Sequence, residues 1–212
     1  MPRPQKALRE KTMSETRQRL LDAAAAEFAR KGYVGANINH ISQTAGFAKG
    51  TIYNHFPCKR ELMLALIDEV AAEHVAFITR QVEREADPSR RLDCFFSAGY
   101  AFVEQQPTQA AVIINTVYGP DEGFKQRVFE AYGELFTLIM EDIVGTGIAQ
   151  GDFRPVDPDL AAALLMSIYL GSCALLESNG KIGIGPGRVA AFVLEGLRRR
   201  DPPAANQEEC QR

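Results

Sequence analysis

Between Ala45 and Lys59 the chain reads AGFAKGTIYNHFPCK, a run rich in donors and poor in core residues. Only Ile52 and Phe56, one helical turn apart, have the spacing of an inward face. Ala48, Gly50 and Thr51 are small enough for a partner to come close, while Lys49, Tyr53, Asn54 and His55 carry hydrogen-bond donors. That combination suits contacts to phosphate oxygens and base edges. Lys59 adds a second indication. It falls in the first turn of the following helix, where the helix dipole disfavours a cation unless an anion such as a DNA phosphate shares that end.

Other chemistry finds no matching pattern. GFAKGT has its lysine before the glycine and threonine with no strand leading into it, so it is not a phosphate loop. Gly183, Gly185 and Gly187 lie in a linker without a dinucleotide fold around them. There is no G-x-S-x-G elbow, H-E-x-x-H pair or assembled Cys–His dyad, and Asp121/Glu122 and Glu141/Asp142 fit solvated helix faces. Cys58, Cys94, Cys173 and Cys210 are scattered as free thiols, and His55 and Cys58 lack the second ligand pair that a zinc site needs. No catalytic residue, cofactor or metal is therefore expected.

The 212 residues, 46% of them hydrophobic, suffice for a small domain joined to a larger one. A net charge of −3 alone argues against a polyanionic partner, but the distribution does not. Residues 1–60 carry 11 Lys/Arg against 4 Asp/Glu, and the remainder 13 against 23. A basic head on an acidic body is the polarity of a chain that meets a polyanion at one end. No apolar run reaches membrane-spanning length and the start lacks a secretion signal's apolar core, so the expected compartment is the cytoplasm.

The elements that position the donor-rich run read as helices. One spans residues 15–31, with Leu20, Ala24 and Phe28 at four-residue spacing, and stops at Gly32. Asn37 caps a short helix through Ile38 and Ile41 to Ala45, Gly46 makes a positive-φ turn, and a second short helix starts near Ala48. After Pro57 a long helix carries Leu62, Leu66, Val70, His74 and Phe77 on one stripe, with His74 read as a core histidine. Further helices cover residues 92–103, 108–118, 124–148, 160–176 and 188–200. With no period-two alternation, the fold class is all-α: an N-terminal three-helix helix-turn-helix unit joined to a C-terminal helical body.

The stretch TRQRLLDAAAAEFARKGYVGANINHISQTAGFAKGTIYNHFPCKREL resembles the DNA-binding domain of TetR-type transcriptional repressors. F-x-x-K-G-Y, I-x-x-I, A-G-x-x-K-G-T-I-Y-x-H-F and K-x-E-L occur in order, and IAQGDFRPVDPDLAAALLMSIYLG is similar to the family's passage into its dimerisation helices. The resemblance implies DNA contacts at Asn37, Asn39, Ala48, Lys49, Gly50, Thr51, Tyr53, Asn54, His55 and Lys59. Thr51 and Tyr53 would clamp the backbone; Lys49, Asn54 and Asn39 would read bases. Ser42 stands where alanine is usual, and Cys58 replaces the usual serine cap.

The same resemblance implies a body for ligand binding and dimerisation. Residues 1–14 would be a flexible basic arm, 15–75 the DNA-binding domain with its motif at 38–57, 76–201 the body, and 202–212 a disordered tail. The dimer seam is expected at Leu164, Leu165, Ile168, Ser172, Leu175, Val189, Phe192 and Val193. Ligand contacts are expected at Cys94, Ser97, Tyr100, Asn115, Tyr118 and Tyr132, around a small apolar or aromatic molecule. The expected function is a ligand-responsive regulator, a repressor binding a pseudo-palindromic operator as a homodimer; the alternative is an activator or ligand-independent regulator on the same fold.

Overall fold

Leu20, Leu21, Ala24, Ala25 and Phe28 recur at helical spacing and are buried along one face of α1 (Pro4–Gly35). The computed structural model describes residues 4–198 except 176, 178 and 179, with side chains described from residue 11 onward. Gly32 kinks α1 at φ 67°, a backbone conformation that a side chain would strain. Residues 4–14, expected as a separate arm, continue α1 as helical backbone, and Lys11 lies 3.9 Å from Glu15 one turn on.

Asn37 caps α2 (Ile38–Thr44) by accepting the Asn39 N–H at 2.9 Å. Gly46 then turns the chain at φ 78°, and the Phe47 N–H closes the turn on the Ser42 carbonyl at 2.8 Å. The short α3 (Lys49–Tyr53) follows. Ile41, Ala45, Ile52 and Phe56 are buried and set how α2 and α3 sit on α1, as expected of them. Cys58 occupies the N-cap position of α4 (Lys59–Val82), and its thiol makes no capping hydrogen bond.

The body begins with α5 (Pro88–Gln105), capped by Asp87, and α6 (Pro107–Val117). The expected single helix over 124–148 is instead broken. α7 (Glu122–Ala131) ends at Tyr132, which takes a turn conformation ahead of Gly133 with its ring buried. α8 (Gly133–Thr137) then runs through a π-helical stretch, Leu138–Gly145, into α9 (Thr146–Gln150). Asp157 caps α10 (Pro158–Cys173), and α11 (Pro186–Leu197) closes the described chain. Arg154 ties the connection before α10 to the end of α11, its backbone N–H reaching the Leu197 carbonyl at 2.8 Å and its Nε the Gly196 carbonyl at 2.7 Å. Residues 199–200 of the expected last helix, Leu176, Cys210 and the tail from 202 lie outside the described residues.

The body core is aromatic: Phe95 stands edge-on to Phe96 and 5.2 Å from the Tyr169 ring. Head and body meet along α1 and α4. Arg127 of α7 forms a bidentate ion pair with Asp68 of α4 at 2.6 and 2.9 Å. Arg60 lies over the Phe124 ring at 4.6 Å, and Tyr33 meets that ring edge-on. No described helix is long and apolar enough to cross a membrane.

Ser42 is fully buried between the head helices, and its hydroxyl has no hydrogen-bond partner among the described residues. Ser42→Ala removes that buried hydroxyl without opening a cavity. It should stabilise the protein by about 1 kcal/mol, read as a higher midpoint in urea unfolding with unchanged slope.

Candidate DNA interface and internal cavity

Ala48, Lys49, Gly50, Tyr53 and Asn54 are exposed on α3 and its ends, with Thr51 and His55 half-buried beside them. No hydrogen bond or ion pair occupies the side chains of Lys49, Thr51, Tyr53, Asn54 or His55 among the described residues. Ile52 and Phe56 point the other way, into the core. The sequence-expected face is thus one contiguous, unoccupied set of donors. Asn39 is exposed next to it on α2, whereas the Asn37 side-chain oxygen is engaged in the cap.

Glu27, which sequence reasoning passed over, holds this face in place. Its carboxylate is only 2% exposed. One oxygen accepts the Asn37 N–H at 3.2 Å and faces Lys31 at 3.3 Å; the other accepts from Arg30 at 2.9 Å and faces His40 Nδ1 at 3.2 Å. Burial pushes the Glu27 carboxyl up, but hydrogen bonds from Arg30, the Asn37 backbone and Lys31 outweigh it and bring it down to about 2. The charge sits at the N-terminus of α2, where the helix dipole favours it.

Lys59, expected to contact a phosphate, is also bonded within the head. Its Nζ donates to the carbonyls of Val34 at 3.1 Å and Ala36 at 2.7 Å, and stands over the Tyr33 ring at 4.9 Å. Burial lowers its pKa, opposed by the nearby Glu27 charge. Two of its three donors therefore close the α1–α2 corner against α4, leaving one N–H for an outside group.

A cavity of about 460 Å³ lies inside the body. α4 supplies Val70 and His74; α5 supplies Phe102 and Val103; α6 supplies Ile113, Ile114 and Val117. Val128, Phe129, Tyr132 and Phe136 line another side, with Met166, Ser167, Tyr169 and Cys173 of α10 opposite. His74 bridges the walls: Nδ1 is 2.9 Å from the Tyr132 hydroxyl, Nε2 is 2.9 Å from the Tyr169 hydroxyl, and the ring stacks on Phe102. It is the satisfied core histidine expected and also part of the cavity wall. Burial holds its pKa at about 3, so it is neutral at ordinary pH.

Of the six residues expected to contact a ligand, Tyr132 alone lines this cavity. Cys94, Ser97 and Tyr100 lie on other faces of α5. Asn115 faces α1, donating to the Ala29 carbonyl at 3.4 Å, and Tyr118 is 61% exposed. The dimer expectation divides in a similar way. Leu164, Ile168, Leu175 and Phe192, the last 73% exposed, lie on the surface, as does Leu160. Leu165, Ser172, Val189 and Val193 are instead buried within the chain, because they occupy the inward faces of α10 and α11.

An exposed, donor-lined second helix on a helix-turn-helix, with an acidic helical body behind it, defines a DNA-binding regulator. Residues 20–66 match the family described as bacterial regulatory proteins, tetR family, and the chain resembles that family's transcriptional regulators. The transcriptional repressor KstR2 of Mycobacterium tuberculosis is 27% identical over 149 residues, 70% of this chain and 74% of that protein. FadR of Bacillus subtilis, solved with stearoyl-CoA, superposes with a TM-score of 0.73 at 20% identity over 84% of this chain and 95% of that one. AibR, solved with isovaleryl coenzyme A and operator DNA, gives 0.71 at 17% identity over 86% and 98%. At those identities the two structures establish the shared fold.

The Glu27 carboxyl lies below its ordinary 4.5, so its stabilising effect is complete above that pH and is lost as pH falls toward about 2. Thermal melts should fall through that window in the wild type. Glu27→Gln, destabilised by about 1–3 kcal/mol at neutral pH, should show a shallower decline.

Proposed function

We propose that the chain is a repressor of the cytoplasm that binds a pseudo-palindromic operator as a homodimer and is released by a small apolar or aromatic molecule held in the body cavity. The observation that carries this reading is the shared construction of cavity and head support. α4 and α7 line the cavity, and the same two helices carry the Asp68–Arg127 pair and the Arg60–Phe124 contact at the head. An effector that favours one arrangement of these walls changes the placement of α3, and each 1.4 kcal/mol or so of differential affinity changes operator occupancy about tenfold.

Two heads would enter successive major grooves about 34–36 Å apart. Leu160, Leu164, Ile168 and Phe192 line a groove between α10 and α11 whose apolar floor suits pairing with the same surface of a second copy, as a four-helix bundle. Thr51, Tyr53 and the remaining Lys59 N–H would hold phosphates, with Gly50 and Ala48 allowing close approach. Lys49, Asn54 and Asn39 would read bases, while His55 and Asn37 flank them.

Selection of bound sequences from random duplexes should return a two-fold site. Asn54→Ala should relax preference at a single base pair in each half-site by about 1–3 kcal/mol. Tyr53→Phe should weaken all duplexes alike, by about three- to tenfold, and leave the salt dependence as it was, because no charge is removed. Phe192→Glu places a charge in the proposed seam. Light scattering should then show a monomer whose operator affinity is reduced by about tenfold or more, with the fold intact by circular dichroism. A monomeric wild type, or one with no preference among duplexes, would refute the reading.

A further inference from the structure

Four polar side chains of the cavity form one chain. The Tyr132 hydroxyl meets His74 Nδ1, His74 Nε2 meets the Tyr169 hydroxyl, and the Cys173 thiol lies beside that second hydroxyl. A neutral imidazole carries one N–H and one lone pair, so it donates to one tyrosine and accepts from the other. The tyrosine that accepts retains its own O–H proton, and the one that donates retains a lone pair. Exchanging tautomers swaps these roles without losing a hydrogen bond. In either state the chain therefore has one donor and one acceptor left over.

The rest of the wall is apolar apart from Ser167, whose hydroxyl donates to the Ala163 carbonyl at 2.8 Å. Among the described residues no lysine or arginine lines the cavity. Burial keeps His74 uncharged and raises the Tyr132, Tyr169 and Cys173 pKa values, so the chain holds no net charge. An anion placed there would lose its hydration without meeting a counter-charge, which costs far more than burying a hydrogen-bonded neutral oxygen.

We propose that the cavity selects an uncharged, largely apolar ligand, or the uncharged part of a larger one, whose single carbonyl or hydroxyl oxygen bonds to the Tyr132–His74–Tyr169 chain, and that it rejects a free carboxylate. This rests on the reading of the cavity as the effector site. A carbonyl selects the tautomer that leaves a tyrosine O–H toward it, and a hydroxyl can use either. Because His74 stands on α4 and Tyr132 at the break between α7 and α8, that oxygen is read by the elements that support the head.

Calorimetry on the full-length protein with butylbenzene, phenylbutanol, methyl phenylpropanoate and phenylbutanoate tests this. In the wild type the methyl ester should bind at least about tenfold tighter than the carboxylate at neutral pH. Tyr132→Phe and Tyr169→Phe together should raise the ratio of the phenylbutanol Kd to the butylbenzene Kd by about fivefold, leaving butylbenzene itself within about twofold. A carboxylate that binds as tightly as the ester, or an unchanged ratio in the folded double variant, overturns the proposal while leaving the effector site standing. Binding of none of the four overturns the effector-site reading itself.

Discussion

α4 runs unbroken for 24 residues from the head into the body, and that continuity is the constraint on which the rest of the molecule depends. At 1.5 Å per residue, Lys59 and His74 stand about 22 Å apart on one stiff rod. At its start, Lys59 closes the α1–α2 corner against the helix; about four turns on, His74 ties it to Tyr132 and Tyr169. Neither point is held by apolar burial alone. Each uses a directional polar contact in a buried or half-buried setting, where a misplaced partner costs more than it would in water.

Much of the head was legible because its signals are local. The positive φ of Gly46, the Asn37 cap and the inward pair Ile52 and Phe56 each follow from a few neighbouring residues, and all three stand as read. Glu27 was not legible. In AAAAEFARK it looks like a solvated helix residue, and its burial depends on a backbone N–H ten residues on, where α2 begins. The bonds of Lys59 were not legible for a related reason: the misplaced cation was noticed, but its nearest acceptors are main-chain carbonyls that carry no mark in the sequence.

The cavity was harder still. The residues expected to contact a ligand were those with polar groups, and polar side chains on a half-buried helix tend to face outward or toward neighbouring backbone. Asn115 does this with the Ala29 carbonyl, whereas Phe102 and Val103 on the same wall of α5 face the space itself. On α10 and α11, the helices expected to form the dimer seam, the inner and outer stripes are both aliphatic. Leu164 and Leu165 differ by one residue and about 100° of rotation, and composition alone does not separate them.

The Lys59 clamp has a mechanical consequence. With its ammonium bonded to the carbonyls of residues 34 and 36, Lys59 resists tilting of the α1–α2 corner on α4. Under the proposed release by an effector, α4 would act as a lever pivoting near His74, and a swing of about 5° over about 22 Å would carry the Lys59 end through about 2 Å. In a twinned molecule the two arms would move oppositely, so the gap would change by roughly one step of the base-pair ladder. An imperceptible rearrangement among buried hydroxyls would thus be amplified to the natural ruling of its target.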